Sequence, residues 1–133
     1  MKKLKNNKKG FTLVEIIVVL VILAILAAAA IPTMLGFVED AKGKTEIANA
    51  RAAYVAAQTI ATQEYAVTGA DTTIPSKITL EKVKQLTGIE DAQAITVTSA
   101  DVTKGKITKI VYKGPTHTVT IEVGKDAVAE PNA

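Results

Sequence analysis

The chain has 133 residues and a formal net charge of +3, but the charge is unevenly spread. Lys2, Lys3, Lys5, Lys8 and Lys9 supply five of the sixteen basic side chains, and the remainder carries 11 basic against 13 acidic groups, which excludes the basic folded surface of a general nucleic-acid binder. The absence of cysteine excludes disulfides, thiolate metal sites and cysteine nucleophiles together, and the length allows one small domain plus an anchor.

The basic leader ends at Gly10, and the chain continues Phe11-Thr12-Leu13-Val14-Glu15. From Ile16 to Val38 there are 23 residues without a charge. An apolar run of about 20 residues is long enough to cross the hydrocarbon core as a helix. Five lysines lie before the run and Glu39 and Asp40 directly after it, so the N-terminus is expected to stay cytoplasmic. Glu15 is the one ionisable group at the edge of this run. A carboxylate entering lipid alone costs several kcal/mol, about 2.5–3.5 on insertion scales, so it demands a partner. Two simpler readings compete. Ala27 to Ala30 could serve as a signal-peptide cleavage site, and the run could be a bare anchor. Pro32 removes the helical bond of the Ala28 carbonyl, and Gly36 adds a weak point one turn later.

Helical spacing continues past the run. Ile47, Ala50, Tyr54, Ala57, Ala61 and Tyr65 recur at three- and four-residue steps and share one face, while Arg51, Gln58 and Gln63 fall largely off it. Phe11 to Thr68 as one helix would span about 87 Å, more than a small domain can bury, so only its second half has a local partner. Gly69 ends the helix and 70–76 reads as a loop. Thr79 caps a short helix over 80–87 with Gly88 as its stop, and Leu80, Val83 and Leu86 give it an apolar side. Strands are expected over 94–98, 107–113 and 117–123, the last two separated by Gly114-Pro115-Thr116. In the last strand Val119, Ile121 and Val123 alternate with Thr118, Thr120 and Glu122. The fold class is therefore α+β: a long N-terminal helix, membrane-spanning in its first half, packed in its second half against a small antiparallel sheet.

Catalytic chemistry is scarce. His117 begins a strand beside a turn, with no carboxylate or hydroxyl set around it in sequence, and reads as a surface or edge residue. Ser76 and Ser99 lie in turn-like contexts. No Walker pattern or Gly-rich phosphate cradle is present. Lys104, Lys106, Lys109 and Lys113 form a basic stretch that could meet DNA or another anionic polymer, but no aromatic platform accompanies it in sequence. Lysines that keep a sheet edge soluble explain it equally. Asp126 and Glu130 lie in a polar tail and match no standard cation loop. An enzyme is not expected.

The short basic leader, Gly10 followed by Phe11 and Thr12-Leu13-Val14-Glu15, the long apolar helix and Pro32 together resemble the class III signal of the type IV pilin family, which includes competence pilins and type II secretion pseudopilins. The resemblance covers roughly 8–37. It implies a leader of residues 1–10 cut between Gly10 and Phe11, a transmembrane and polymerisation helix over 11–38, and an exposed head over 39–133. It also implies N-methylation of the Phe11 amine by the prepilin peptidase that cuts the leader. Glu15 lies one turn from that amine, and pairing within one chain or between staggered neighbours is compatible with the spacing; the family implies the neighbour. It further implies melting near 24–31 ahead of Pro32 on assembly, and as partners a homopolymer, an assembly ATPase, a platform protein and minor pilins. No cofactor is implied for a pilin, whereas calcium at Asp126 and Glu130 would mark a major pseudopilin. Lack of cysteine departs from many Gram-negative pilins and points to a Gram-positive pilin or a calcium-stabilised pseudopilin; a Gram-positive major pilin, with adhesion or surface motility as its role, is the expectation. A pseudopilin of a secretion or competence system, and a monomeric membrane-anchored binding module, are the rivals.

Overall fold

The computed structural model describes residues 10–133; of the expected leader only Gly10 lies among them. The chain divides into two compact units, one ending at Val38 and one comprising Glu39–Ala133. A single helix, α1 (Leu13–Thr68), supplies residues to both. It begins two residues later than the apolar pattern predicts, and its 56 residues correspond to about 84 Å of helix.

In the first unit every described residue is exposed. Leu and Ala favour α1 here by propensity, and the β-branched Ile and Val among them, though weaker helix formers, bring no polar side chain to compete with the backbone. Pro32 lies inside the helix. Next to it the Thr33 hydroxyl donates to the Ala30 carbonyl at 2.8 Å. Across the described residues, α1 is the one helix long and apolar enough to cross a membrane.

In the second unit, α1 buries Gly43, Glu46, Ala50, Ala53, Ala56, Ala57, Ile60 and Ala61. The buried stripe thus shares Ala50, Ala57 and Ala61 with the predicted face but is centred slightly to one side of it, leaving Ile47, Tyr54 and Tyr65 half-buried at its margins. Alanines on this stripe let the helix lie close on a sheet of β1 (Ala94–Thr96), β4 (Lys109–Lys113), β5 (His117–Glu122) and β6 (Val128–Pro131), in that spatial order and antiparallel throughout. A separate ribbon pairs β2 (Val102–Thr103) with β3 (Lys106–Ile107). Tyr112, Ile74, Ile107, Ile110, Val83 and Val119 are the largest fully buried side chains. Each aliphatic member contributes about 1.5–3 kcal/mol relative to exposure.

Several local expectations are corrected. The segment read as a loop over 70–76 is a 3₁₀ turn, Asp71–Thr73, followed by α2 (Ile74–Lys77). Pro75 sits in the first turn of α2, where a missing N–H costs nothing, and Ile74 pulls the turn into the core. Over α3 (Leu80–Thr87) the prediction holds: Thr79 Oγ1 accepts from Lys82 N at 3.3 Å, and Gly88 closes the helix at φ 73°. Of its apolar side, however, only Val83 is buried, and Leu86 is 59% exposed. The strand expected over 107–113 is broken at Thr108, whose N–H and hydroxyl both bond the Asp101 carbonyl. Val123 is not in β5 but exposed beyond it. The polar tail from Asp126 contains β6, because Glu130 and Ala129 pair in register with Thr118 and Val119, and Pro131 is tolerated at the edge of the sheet.

Candidate functional site

At the start of α1 the sequence Thr12-Leu13-Val14-Glu15 folds as a capping box. The Glu15 N–H donates to Thr12 Oγ1 at 3.2 Å, and the Thr12 N–H donates to Glu15 Oε2 at 3.3 Å. Two of the helix's orphan donors are thereby satisfied, and the carboxylate lies at the positive end of the helix dipole. The sequence signal for this, Thr followed three places later by Glu, was available but is masked by the apolar context. Phe11, directly before the box, is 81% exposed, and among the described residues nothing lies within 4 Å of where a Gly10 Cβ would sit. Phe11 and Glu15 therefore stand together at an open helix end. Gly36 likewise has nothing within 4 Å of a Cβ, and Pro32 and Gly36 lie on an exposed stretch of α1.

The head contains a polar cluster that sequence reading missed. Glu46 is 4% exposed and His117 6%, so His117 is a buried residue and not the surface residue expected. The link is Thr116. Its hydroxyl donates to Glu46 Oε1 at 3.2 Å and lies 2.9 Å from His117 Nδ1, and its N–H reaches the same Glu46 oxygen at 3.5 Å. Gly114 makes room for the carboxylate, since a Cβ there would overlap Glu46. Gly43 faces the imidazole, and a Cβ there would stand at ordinary contact, 3.6 Å from Nε2. Asn132 completes the tie: its amide donates to the Gly114 carbonyl at 2.8 Å and its oxygen accepts from the Thr118 hydroxyl at 2.7 Å. The Tyr112 hydroxyl is buried near Glu46 and Asn49 without meeting either in hydrogen-bond geometry. Burial first, and the charges of Glu46 and Asp91 second, push its pKa up to about 12. Although a hydroxyl between an imidazole and a carboxylate has the make-up of an activated nucleophile, both flanking groups are buried, and what the cluster does is fix the β4–β5 turn onto α1.

A second tie holds the other end of the head. Asp71 accepts from the N–H groups of Lys104 and Gly105 at 2.8 and 2.7 Å. Gln58 donates to the Gly105 carbonyl at 2.8 Å and accepts from the Ile107 N–H at 2.9 Å. Both pin the β2–β3 ribbon to the end of α1. The four lysines do not form one hairpin surface: Lys104 and Lys106 belong to this ribbon and Lys109 and Lys113 to β4. The only tyrosine near them in sequence, Tyr112, is fully buried. Asp126 is exposed in the link between β5 and β6, and Glu130 is exposed in β6. Among the described residues no group of three or more His, Cys, Asp or Glu could hold a metal ion.

The prokaryotic N-terminal methylation motif matches residues 5–31. No curated protein and no solved structure matches the chain. The motif and the long apolar N-terminal helix fit the type IV pilin and pseudopilin superfamily in general, support membrane association, and, with no catalytic motif in the chain, are consistent with a non-enzymatic structural protein.

Proposed function

We propose that this chain is the structural subunit of a type IV pilus filament, a Gram-positive major pilin serving adhesion or surface motility. The observation that carries the reading is the methylation motif over residues 5–31, joined to an α1 whose apolar stretch is wholly exposed. In this reading residues 1–10 are a cleaved leader, 11–38 the transmembrane and polymerisation helix, and 39–133 the head. Cleavage falls between Gly10 and Phe11, and the Phe11 amine is methylated but stays cationic. The subunit waits in the cytoplasmic membrane, N-terminus inside, until an ATPase and a platform protein, with minor pilins, move it into an extracellular homopolymer. Among packed helices, Glu15 pairs with the amine of a neighbour staggered by about one turn. Stranding either charge would cost roughly 3–5 kcal/mol, so the pair selects the register. Pro32 and Gly36 supply the segment that bends or unwinds on transfer from bilayer to filament.

The capping box gives the experiment its control. Glu15→Ala and Glu15→Gln should leave a cleaved membrane pool but few sheared filaments by electron microscopy, whereas Thr12→Ala, which breaks the box and keeps the carboxylate, should still assemble. Intact mass should show loss of residues 1–10 and gain of one methyl group. A terminus at or beyond Ala28, or an intact Met1, refutes the processing. Normal filaments from both Glu15 variants refute the register mechanism. Secretion or DNA uptake lost without loss of a surface filament would assign the chain to the pseudopilins.

A further inference from the structure

Between the end of α1 and the β2–β3 ribbon lies a groove of about 510 Å³, lined by Tyr54, Tyr65, Lys104, Lys106, Ile107 and Val123 among others. Its size is that of a binding cleft. Lys104 and Lys106 are exposed. The ion pairs of the described residues are Lys42–Glu39 and Lys125–Glu122, so neither ammonium group belongs to one, and the Asp71 carboxylate nearby is engaged by the backbone N–H groups of Lys104 and Gly105. An occupant should be anionic at its margins and apolar in its middle.

The lining narrows the class further. Gln58 already spends its amide on Gly105, Ile107 and Thr62, and the Tyr54 hydroxyl donates to the Ile107 carbonyl at 3.0 Å. Few free polar groups remain for the hydroxyls of a sugar. The Tyr65 ring is packed against the Gly105 backbone, where an added Cβ would come within 2.8 Å. An apolar side chain flanked by carboxylates fits best.

The chain carries such a segment. Asp126, two residues ahead of β6, alternates with Val128 and Glu130 within it; all three are exposed, and β6 is the outermost strand of the sheet. Neither carboxylate belongs to an ion pair of the described residues. At an extended rise of about 3.3 Å per residue, residues 126 and 130 lie at most about 13 Å apart along the chain. The groove runs beside α1 from Tyr54 to Tyr65, about 16 Å of helix. β6 is bound to β5 within its own sheet, so a chain does not fill its own groove.

We propose that the groove receives the outer side of β6 from a second copy of this chain, with Val128 in the apolar lining and Asp126 and Glu130 on Lys104 and Lys106. The two patches are different surfaces, so the contact is head-to-tail. Repetition of such a contact without closure gives an open helical polymer. The proposal rests on the filament reading and adds a specific contact between heads to it.

The test uses the full chain expressed in its own membrane, where the absence of native cysteine makes engineered pairs unambiguous. Lys106→Cys combined with Val128→Cys should give, on mild oxidation, a ladder of linked subunits. Lys106→Cys combined with Glu81→Cys should not. Lys106→Glu should lower sheared-filament yield about tenfold, and Glu130→Lys added to it should restore most of the loss, because rim charges set complementarity rather than folding. Electron microscopy of the unmodified strain separates the two levels. Filaments with no specific ladder and no charge rescue overturn the contact and leave the filament reading standing. A specific ladder in the membrane without filaments supports the contact and removes the filament. Neither filaments nor ladder refutes both.

Discussion

Gly114→Ala is the sharpest test of how the head is held together. The Cβ would occupy the space of the Glu46 carboxylate, with both oxygens and Cδ closer than any relaxed contact allows. The backbone need not object, because Gly114 is not among the positive-φ glycines. The carboxylate must therefore leave, forfeiting its bonds to the Thr116 hydroxyl and N–H. A hydrogen bond to a charged group contributes about 1.5–3 kcal/mol, so a loss of about 2–3 kcal/mol is expected. For a head of this size that corresponds to a fall in Tm of about 10–20 °C. Thermal unfolding of the full chain in detergent, followed by the near-UV dichroism of its tyrosines, measures it. Repeating the substitution in a Glu46→Ala background isolates the cause, since the obstructing group is then gone and Gly114→Ala should cost less than about 0.5 kcal/mol. An equal loss in both backgrounds would show that the turn's backbone, and not the carboxylate, requires glycine.

Asp71→Ala removes the acceptor of two backbone N–H bonds and should cost about 1–2 kcal/mol while speeding tryptic cleavage after Lys104 and Lys106; unchanged cleavage would remove Asp71 from the tie. Tyr112 should ionise near 12 in an ultraviolet titration of the folded chain. Its folded pKa lies above the unfolded value of about 10, so its contribution is complete below pH 10 and is lost as the pH rises from 10 towards 12. A Tyr112→Phe variant should lose that alkaline dependence. Asp101 is shifted the other way: hydrogen bonds from the Thr98 side chain and backbone hold it below the ordinary 3.8. Its contribution is present above that value and lost as the pH falls through the folded pKa. Carbon-detected titration of Asp101 should move back towards 3.8 in Thr98→Ala only in part, since the backbone N–H remains.

The parts of the fold legible in the sequence are those fixed by local pattern. An uncharged run writes the apolar half of α1, a three-and-four spacing writes its alanine face, and Thr79 and Gly88 write both ends of α3. The parts that escaped depend on remote partners. β6 contains one valine, an alanine, a glutamate and a proline and has no alternating strand signature of its own; it is a strand because β5 offers it a paired edge. The break between β3 and β4 is equally invisible, as it follows from Thr108 turning its N–H to Asp101. His117 reads as an edge residue until α1 at Gly43, 74 positions earlier, is seen to pack against its ring.

Three glutamates on α1 show why charge is the hardest signal to interpret along one helix. Glu39 is 62% exposed and 3.7 Å from Lys42, an ion pair of a kind worth about 0–1 kcal/mol in water. Glu15 closes the first turn through the Thr12 N–H, a local arrangement that its spacing from Thr12 encodes. Glu46 has the same side chain and a similar polar neighbourhood in sequence, with Thr45 before it and Lys44 two places away. Yet it is buried against a turn some 70 residues on, because that turn has glycine at 114 and a hydroxyl donor at 116. Burying an unpaired carboxylate is costly, so Glu46 is tolerable only while both conditions hold. The information that makes it an internal tie is thus carried by Gly114 and Thr116, and a reading confined to α1 must assign it to solvent.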